Sequence, residues 1–330
     1  MISEEDLRSA VNAGILTEET ATALRAHVER LNQVPAVDEE HFRLVTGFND
    51  IFVVIACLLL LVSANWIGQT FQPWFGPAAA AALAWALGEF FIRKRHMALP
   101  AIVLLLAFEG GLVAAILFAL NKNNTGLMAA AVLAAAGAWL HWARFQVPIT
   151  VAAGTAAALA CAVALLYTAV PESRNWMSAV SLIAGVAVFA LAMYWDAGDT
   201  LRRTRRSDAA FWLHLLAAPL LVHPVFTALG VATGRASLGQ ALAVVALYVC
   251  IALISLSIDR RALMVSALAY VLYAFSSLLE RYGVVSLSFA ITALVIGSAL
   301  LLLSAFWHTS RAFVLRQLPL PLKERLAPLR

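Results

Sequence analysis

The sequence predicts an all-α fold: a polytopic transmembrane helical bundle of about ten helices, with both ends in the cytosol and a small helical hairpin ahead of the first span. Three observations predict it. Of 330 residues, 62% are hydrophobic and only 13% charged, against about 25% charged in an average soluble domain. The apolar residues gather in runs of roughly 20, the length at which a helix crosses the hydrocarbon core. The basic residues fall on alternate connections between those runs. The chain divides accordingly into a cytosolic hairpin (1–47), a transmembrane domain (48–306) and a basic interfacial tail (307–330).

Residues 1–47 are polar, with no apolar core of a cleavable signal, so the first span is expected to act as an uncleaved insertion signal. Ser3-Glu4-Glu5-Asp6 reads as a capping box, and Leu7 and Val11 share one helical face. Gly14 suits a C-terminal cap. Thr17-Glu18-Glu19 restarts a second helix with Leu24, Val28 and Leu31 on one stripe, and Pro35 ends it. A hairpin this small buries little surface by itself. It either docks on another surface or is a loosely ordered lead-in.

The expected spans are 48–68, 74–92, 98–120, 127–143, 147–170, 176–195, 210–233, 238–257, 262–280 and 285–306. Asn49 and Asp50 open the first, and Asn65-Trp66 stands near its far end. Glu89 and His141 stand near the inner ends of the second and fourth, where water is within reach. Gly154 and Ala158 in the fifth and Gly185 in the sixth are small residues that let helix backbones approach closely. Counted on this layout, 19 of the 23 Lys and Arg residues lie on the cytosolic side, and only Lys122, Arg174, Arg235 and Arg281 lie outside. A missed helix would scramble that alternation, so positive-inside asymmetry favours ten. Tryptophan agrees, because its amphipathic ring prefers the interface. Trp66, Trp74 and Trp176 fall near outer ends, Trp139, Trp142, Trp195, Trp212 and Trp307 near inner ends, and Trp85 alone at mid-depth. From Arg311 the tail alternates basic and apolar residues, and Pro319 and Pro321 exclude one continuous helix.

The candidate intramembrane site is Glu109, His223, Tyr270, Tyr273, Ser277 and Glu280. Glu109 lies twelve residues into the third span, before Gly110 and Gly111. A carboxyl there costs on the order of 3 kcal/mol on insertion scales, so it should face protein or water. It is either a proton- or cation-carrying group or a carboxyl hydrogen-bonded across the bundle. Ser266, Tyr270, Tyr273, Ser277 and Glu280 are spaced for one face of the ninth helix, as a cavity lining or an interhelical seam. Tyr248, Ser255 and Asp259 form a shorter stripe on the eighth. His214 and His223 lie nine residues apart on the proline-bearing seventh helix, about 180° around it, so they do not share a metal. His223 is the better placed for a proton relay, unless a carbonyl freed by proline simply satisfies it.

No catalytic residues, cofactor or metal are expected. Cys57, Cys161 and Cys250 have no ligand or redox spacing, and there is no phosphate loop, HExxH or Gly-x-Ser-x-Gly elbow. Basic residues clustered at helix ends do not read as a nucleic-acid surface.

"AGILTEETATAL" at 13–24, "FNDIF" at 48–52, "VSANWIG" at 62–68 and the Trp307/Arg311 pair before a Leu-Pro-rich tail together resemble a bacterial family of membrane proteins, domain of unknown function 2157. That resemblance implies a bacterial cytoplasmic (inner) membrane location. It assigns no activity and carries over no site residue.

Two functions follow as expectations. The first is a secondary transporter or permease of a small-molecule substrate, proton-coupled through Glu109, since ten helices with both ends inside is a common transporter layout. The alternative is a non-catalytic scaffold or envelope sensor that docks a protein partner through residues 1–47. An enzyme acting on lipid-linked substrates ranks last, as no acid and nucleophile converge at one depth. In either leading case the bilayer is itself a partner.

Overall fold

The structure, a computed structural model, describes residues 9–24, 48–120, 123–200, 202, 204–230, 238–281, 288–323 and 326–327. The chain forms two compact units, Met1–Arg43 and Leu44–Arg330.

In the first unit, residues 9–12 and 18–24 are helical. Gly14 has a φ of +69°, which a residue with a Cβ reaches only at a cost, and so ends the first turn of chain. The Thr17 hydroxyl accepts the Thr20 amide (3.2 Å) and opens the second helix as expected. Ala21 is buried, whereas Ile15 is 77% exposed. The Ser3 capping box, Val28 and Leu31 lie outside the described residues.

The second unit is all helical among the described residues. Its elements are α1 (Phe48–Gln69), α2 (Phe75–Phe91), α3 (Ala98–Ala119), α4 (Asn124–Phe145), α5 (Ile149–Ala169), a 3-10 turn (Pro171–Trp176), α6 (Met177–Ala197), α7 (Arg205–Ala228), α8 (Leu238–Ile258), α9 (Ala262–Arg281), α10 (Ser288–Ala305), α11 (Trp307–Gln317) and α12 (Leu320–Lys323). Each of the ten expected segments holds one helix. Six are long and apolar enough to cross a membrane, or seven if the bent pair α10–α11 is one span. Shorter apolar helices are Phe75–Phe91, Leu242–Ile258 and Ala262–Ser276. The 17 residues of α2 rise only about 26 Å, less than the ~30 Å hydrocarbon core.

The helices pack as two neighbouring groups. In the first, α1, α2 and α3 pack on one another, α3 on α4, and α4 on α5. In the second, α6 packs on α7, α7 on α9, and α9 on both α8 and α10, with α11 against α8 and α10. The groups join where α5 packs on α7.

Small residues set the closest approaches. A Cβ on Gly111 would lie 2.7 Å from the Pro77 carbonyl oxygen of α2, and one on Gly185 would lie 2.9 Å from the backbone of Leu220 and Leu221 in α7. Gly110, by contrast, has open space. The α6–α7 contact also answers a defect in α7. Pro224 has no N–H, so it leaves the Leu220 carbonyl without its helical partner. The Ser181 hydroxyl of α6 donates to that carbonyl at 3.2 Å. The tail is broken, as its prolines require. α11 departs from α10 at 74°, and Leu318, held extended ahead of Pro319, ends it.

Candidate functional site

The densest polar construction lies where the even-numbered helices α2, α4, α6 and α8 end. Four non-glycine residues take left-handed backbone among the described residues: His96, Gln146, Arg202 and Asp259, with φ between 53° and 58°. They occupy the α2–α3, α4–α5, α6–α7 and α8–α9 connections, so each tight turn at this end is closed the same way. Such a residue costs about 1–2 kcal/mol relative to ordinary backbone. Two of the four, Arg202 and Asp259, bind each other.

Asp259 is one hub. Its Oδ2 accepts Arg202 Nη1 (2.9 Å), its Oδ1 accepts the Trp307 indole N–H (2.8 Å), and Arg311 Nε stands 3.5 Å from Oδ1. Arg202 Nη2 also donates to the Ile258 and Asp259 carbonyls, at 3.1 and 3.0 Å. These are the terminal carbonyls of α8, where a cation complements the helix dipole.

Asp196, at the end of α6, is the other hub. Arg260 grips it with two donors, Nη2 to Oδ1 (2.6 Å) and Nε to Oδ2 (3.2 Å), the paired geometry that suits guanidinium to carboxylate. The same Nη2 reaches the carbonyl and hydroxyl oxygens of Ser207 in α7, both at 3.0 Å. His214 Nε2 is 2.9 Å from Asp196 Oδ2. Because an ionised carboxylate only accepts, this ring nitrogen carries the proton. Asp199 accepts from the backbone N–H and hydroxyl of Thr204, which caps α7, at 2.8 and 2.7 Å. Arg202, Arg260, Arg311, His214 and Trp307 are all buried. Burial pulls the Arg202 guanidinium below its ordinary pKa, Arg260 adds to this, and the Asp259 carboxylate opposes it.

Arg260 Nη1 and His214 Nδ1 are buried with no hydrogen-bond partner. The network thus ties α6, α7, α8 and α11 and the two connecting turns with buried charge.

A smaller cluster lies at the same end of the first group. Glu89 of α2 accepts Arg144 Nε (2.7 Å) and Nη2 (3.0 Å) from α4 and Arg93 Nη1 (2.7 Å). Arg205 at the start of α7 donates to Gln146 (2.8 Å) and links the two groups. Glu89 is thus at the surface as expected, but His141 is not. It is 2% exposed, its Nδ1 is 3.1 Å from the Thr150 hydroxyl of α5, and Trp85, Phe108 and Phe145 enclose its ring. The aromatic rings exclude the water that its place near the helix end suggested.

The residues expected within the membrane divide between the two groups. Glu109 is half-buried in α3 and turns to α4, where a Cβ on Gly137 would lie 3.2 Å from its Oε1. That oxygen is buried and has no hydrogen-bond partner. His223 and Tyr270 do meet: His223 Nδ1 shares a hydrogen bond with the Tyr270 hydroxyl, and Phe226 stacks on the tyrosine ring with centroids 4.7 Å apart. A hydroxyl from α9 is thus the partner of this ring nitrogen. Tyr273 is 43% exposed. Ser277 and Glu280 are carried on the last turns of α9, and their side chains lie outside the described residues. Glu109 and the α9 stripe belong to different packing groups, since α3 packs on α1, α2 and α4.

Asp196, Arg202, Arg260 and Arg311 were not read as a site in the sequence. Arg202 and Arg260 entered there only in the count of basic residues, Arg311 as the start of the tail and part of the family resemblance, and Asp196 not at all. A signal was present nonetheless: Asp196 and Asp259 each end an apolar run within a few residues of arginine.

Among the described residues, no group of three His, Cys, Asp or Glu residues could hold a metal ion. Comparison with protein-family models, with curated proteins and with solved structures finds no match for this chain. Fold and composition define its class as a multi-pass α-helical membrane protein in contact with the bilayer.

Proposed function

We propose that this protein is a non-catalytic membrane platform or sensor of the bacterial cytoplasmic membrane. Ten spans place both ends in the cytosol, and residues 1–47 meet a cytosolic protein partner. The bacterial location rests on the resemblance to the family of unknown function, and the ten spans rest on the charge asymmetry. The observation that carries the reading is the buried network of Asp196, Arg202, His214, Asp259, Arg260 and Arg311 at the basic end. Buried ion pairs add little net stability but make one arrangement of helices specific. A signal received at that end has a rigid, many-membered joint through which to shift α6–α9 and α11. The exposed Ile15 of the separate N-terminal unit suits partner contact.

One observation favours a second reading, secondary transport of a small substrate coupled to protons. Glu109 Oε1 is buried without a partner, and an intramembrane carboxyl of that kind marks a proton or cation pathway by default. The platform reading ranks first because Glu109 and the His223–Tyr270 pair sit in separate packing groups.

A single cysteine at position 109, with the three native cysteines replaced, separates the two. An impermeant thiol reagent applied from each side of the membrane should fail to label it in a platform. Labelling from either side would reject that reading in favour of a hydrated pathway, to be followed by flux assays on Glu109→Gln.

A further inference from the structure

A short piece of the tail reaches back to the buried ion-pair network. Leu326 packs against the cluster of Ala218, Ile258 and Leu263, drawn from α7, α8 and α9. The Ala327 carbonyl accepts Arg311 Nη2. The same guanidinium stands at the Asp259 hub, with Nε 3.5 Å from Asp259 Oδ1, so it links this piece of tail to the network. Between the tail and the network lies a cavity of about 10 Å³. Asp196, Asp199, Thr200 and Arg202 form part of its wall, and Leu326 and Ala327 form another part. That is room for about one water molecule.

The hold on this piece of tail is slight beside what it covers. Leu326 and Ala327 are half-buried and belong to no helix, whereas Arg202, Arg260, Arg311 and His214 are buried. A segment outside the helices opens locally while the packed helices stay together. Opening here has an electrostatic consequence. Attraction between ions is strong where water is excluded and weak where water and salt reach them. Asp196 holds Arg260 and His214, and Asp199 holds Thr204, the cap of α7. Wetting this cavity therefore weakens the ties of α6 to α7 and to the α8–α9 turn.

We propose that residues 326–327 form a releasable strap over the network. Closed, the strap seals the Asp196–Asp199 cavity from bulk water and keeps α6–α9 locked together. Open, it admits water and salt and loosens their joint. The strap acts on the network itself, so it holds under either reading of the protein's function.

The test is thiol access in nanodiscs, which leave both faces of the full chain open to an impermeant reagent. With the native cysteines replaced, Thr200→Cys puts a single thiol on the cavity wall, and it should label slowly. Leu326→Asp sets a charge in the apolar seat, and deletion of residues 326–330 empties that seat. Either change should raise the labelling rate about tenfold or more, because access no longer waits on local opening. Leu326→Met keeps the seat apolar and should keep labelling slow. Salt gives a second readout, which a contact that merely adds packing would not move. Between about 0.05 and 0.5 M salt, the thermal midpoint of the full chain should change little and that of the deletion should fall. Equal labelling rates with and without the strap, fast or slow, would overturn the proposal, and so would one salt response shared by both chains. Cys57, kept as the sole cysteine of a parallel chain, is buried among helices of the first group and should stay unlabelled throughout. If Leu326→Asp and the deletion both expose Cys57, residues 326–327 belong to the core and are no strap, which overturns the proposal as well.

Discussion

Asp196 shows how the value of a charged residue depends on where it sits. Its carboxylate faces Arg260 and His214, both nearly inaccessible to water. Replacing it with asparagine keeps the volume and removes the negative charge, which leaves a buried guanidinium without its counter-ion. Loss of one partner in a buried pair costs about 3–5 kcal/mol. Asp196→Asn should therefore lower the unfolding free energy by that amount, measured by denaturant titration in bicelles. Replacing Arg260 as well, with methionine, should recover much of the loss, because the unpaired cation is then gone. Glu89→Gln is the surface counterpart. Glu89 also holds two arginines, but water and salt screen that cluster. Its unfolding midpoint should match wild type within error. Agreement between the two variants would show that burial does not set the energetics of these pairs. Sequence alone does not separate the two acids. Each stands at the end of an apolar run with an arginine four to six residues on, and only the fold decides which one water reaches.

At the scale of elements, the contact of α6 with α7 depends on Gly185. A methyl there would meet the backbone of Leu220 and Leu221 at 2.9 Å, and backbone cannot rotate away. Gly185→Ala should cost about 1–3 kcal/mol as the helices separate. It should also loosen the Ser181 bond to the carbonyl that Pro224 frees. Gly110→Ala meets nothing within 4 Å, so it should be neutral or gain up to about 1 kcal/mol from helix propensity. Thermal unfolding of the two variants side by side checks both signs. Helix positions were legible in the sequence because length and apolarity are local properties: every helix from α1 to α10 lies on an expected segment. Gly14, Thr17, Gly185 and the break at Pro319 were legible for the same reason, since caps, close contacts and proline act within a few residues. Partnerships between helices were not. Nothing local in α9 says that Tyr270 meets His223, or that Glu109 faces α4. Nor does local sequence say that Asp259, read as part of a polar stripe, would turn back to Arg202 and Trp307.

For the whole molecule, the number of helices that cross the bilayer turns most sharply on α2. It is the shortest of the ten at 17 residues, yet the chain on either side of it differs strongly in charge. Arg93, Lys94 and Arg95 follow it, whereas the connection before it, from Thr70 to Trp74, has no charged residue. The positive-inside rule places the first set in the cytosol and leaves the second free to cross. Packing points the same way. Glu89 at the end of α2 joins Arg144 at the end of α4, and Gln146 just beyond joins Arg205 at the start of α7. These contacts put the ends of α2 and α4 on the same side as the basic start of α7. A local thinning of the bilayer or snorkelling by Arg93 and Arg95 accommodates a helix a few ångström short. Single cysteines at Gln72 and Arg95, in a chain otherwise free of cysteine, should therefore label from opposite faces of inside-out and right-side-out vesicles. A second pair at Glu172 and Arg205, flanking the long α6, should do the same and serves as the control, because α6 is long and apolar enough to cross by itself. If the α6 pair divides between the faces but Gln72 and Arg95 label from one face together, α2 dips into the bilayer and returns. Every later span would then change direction relative to α1, and the alternation of 19 basic residues against 4 would need another cause.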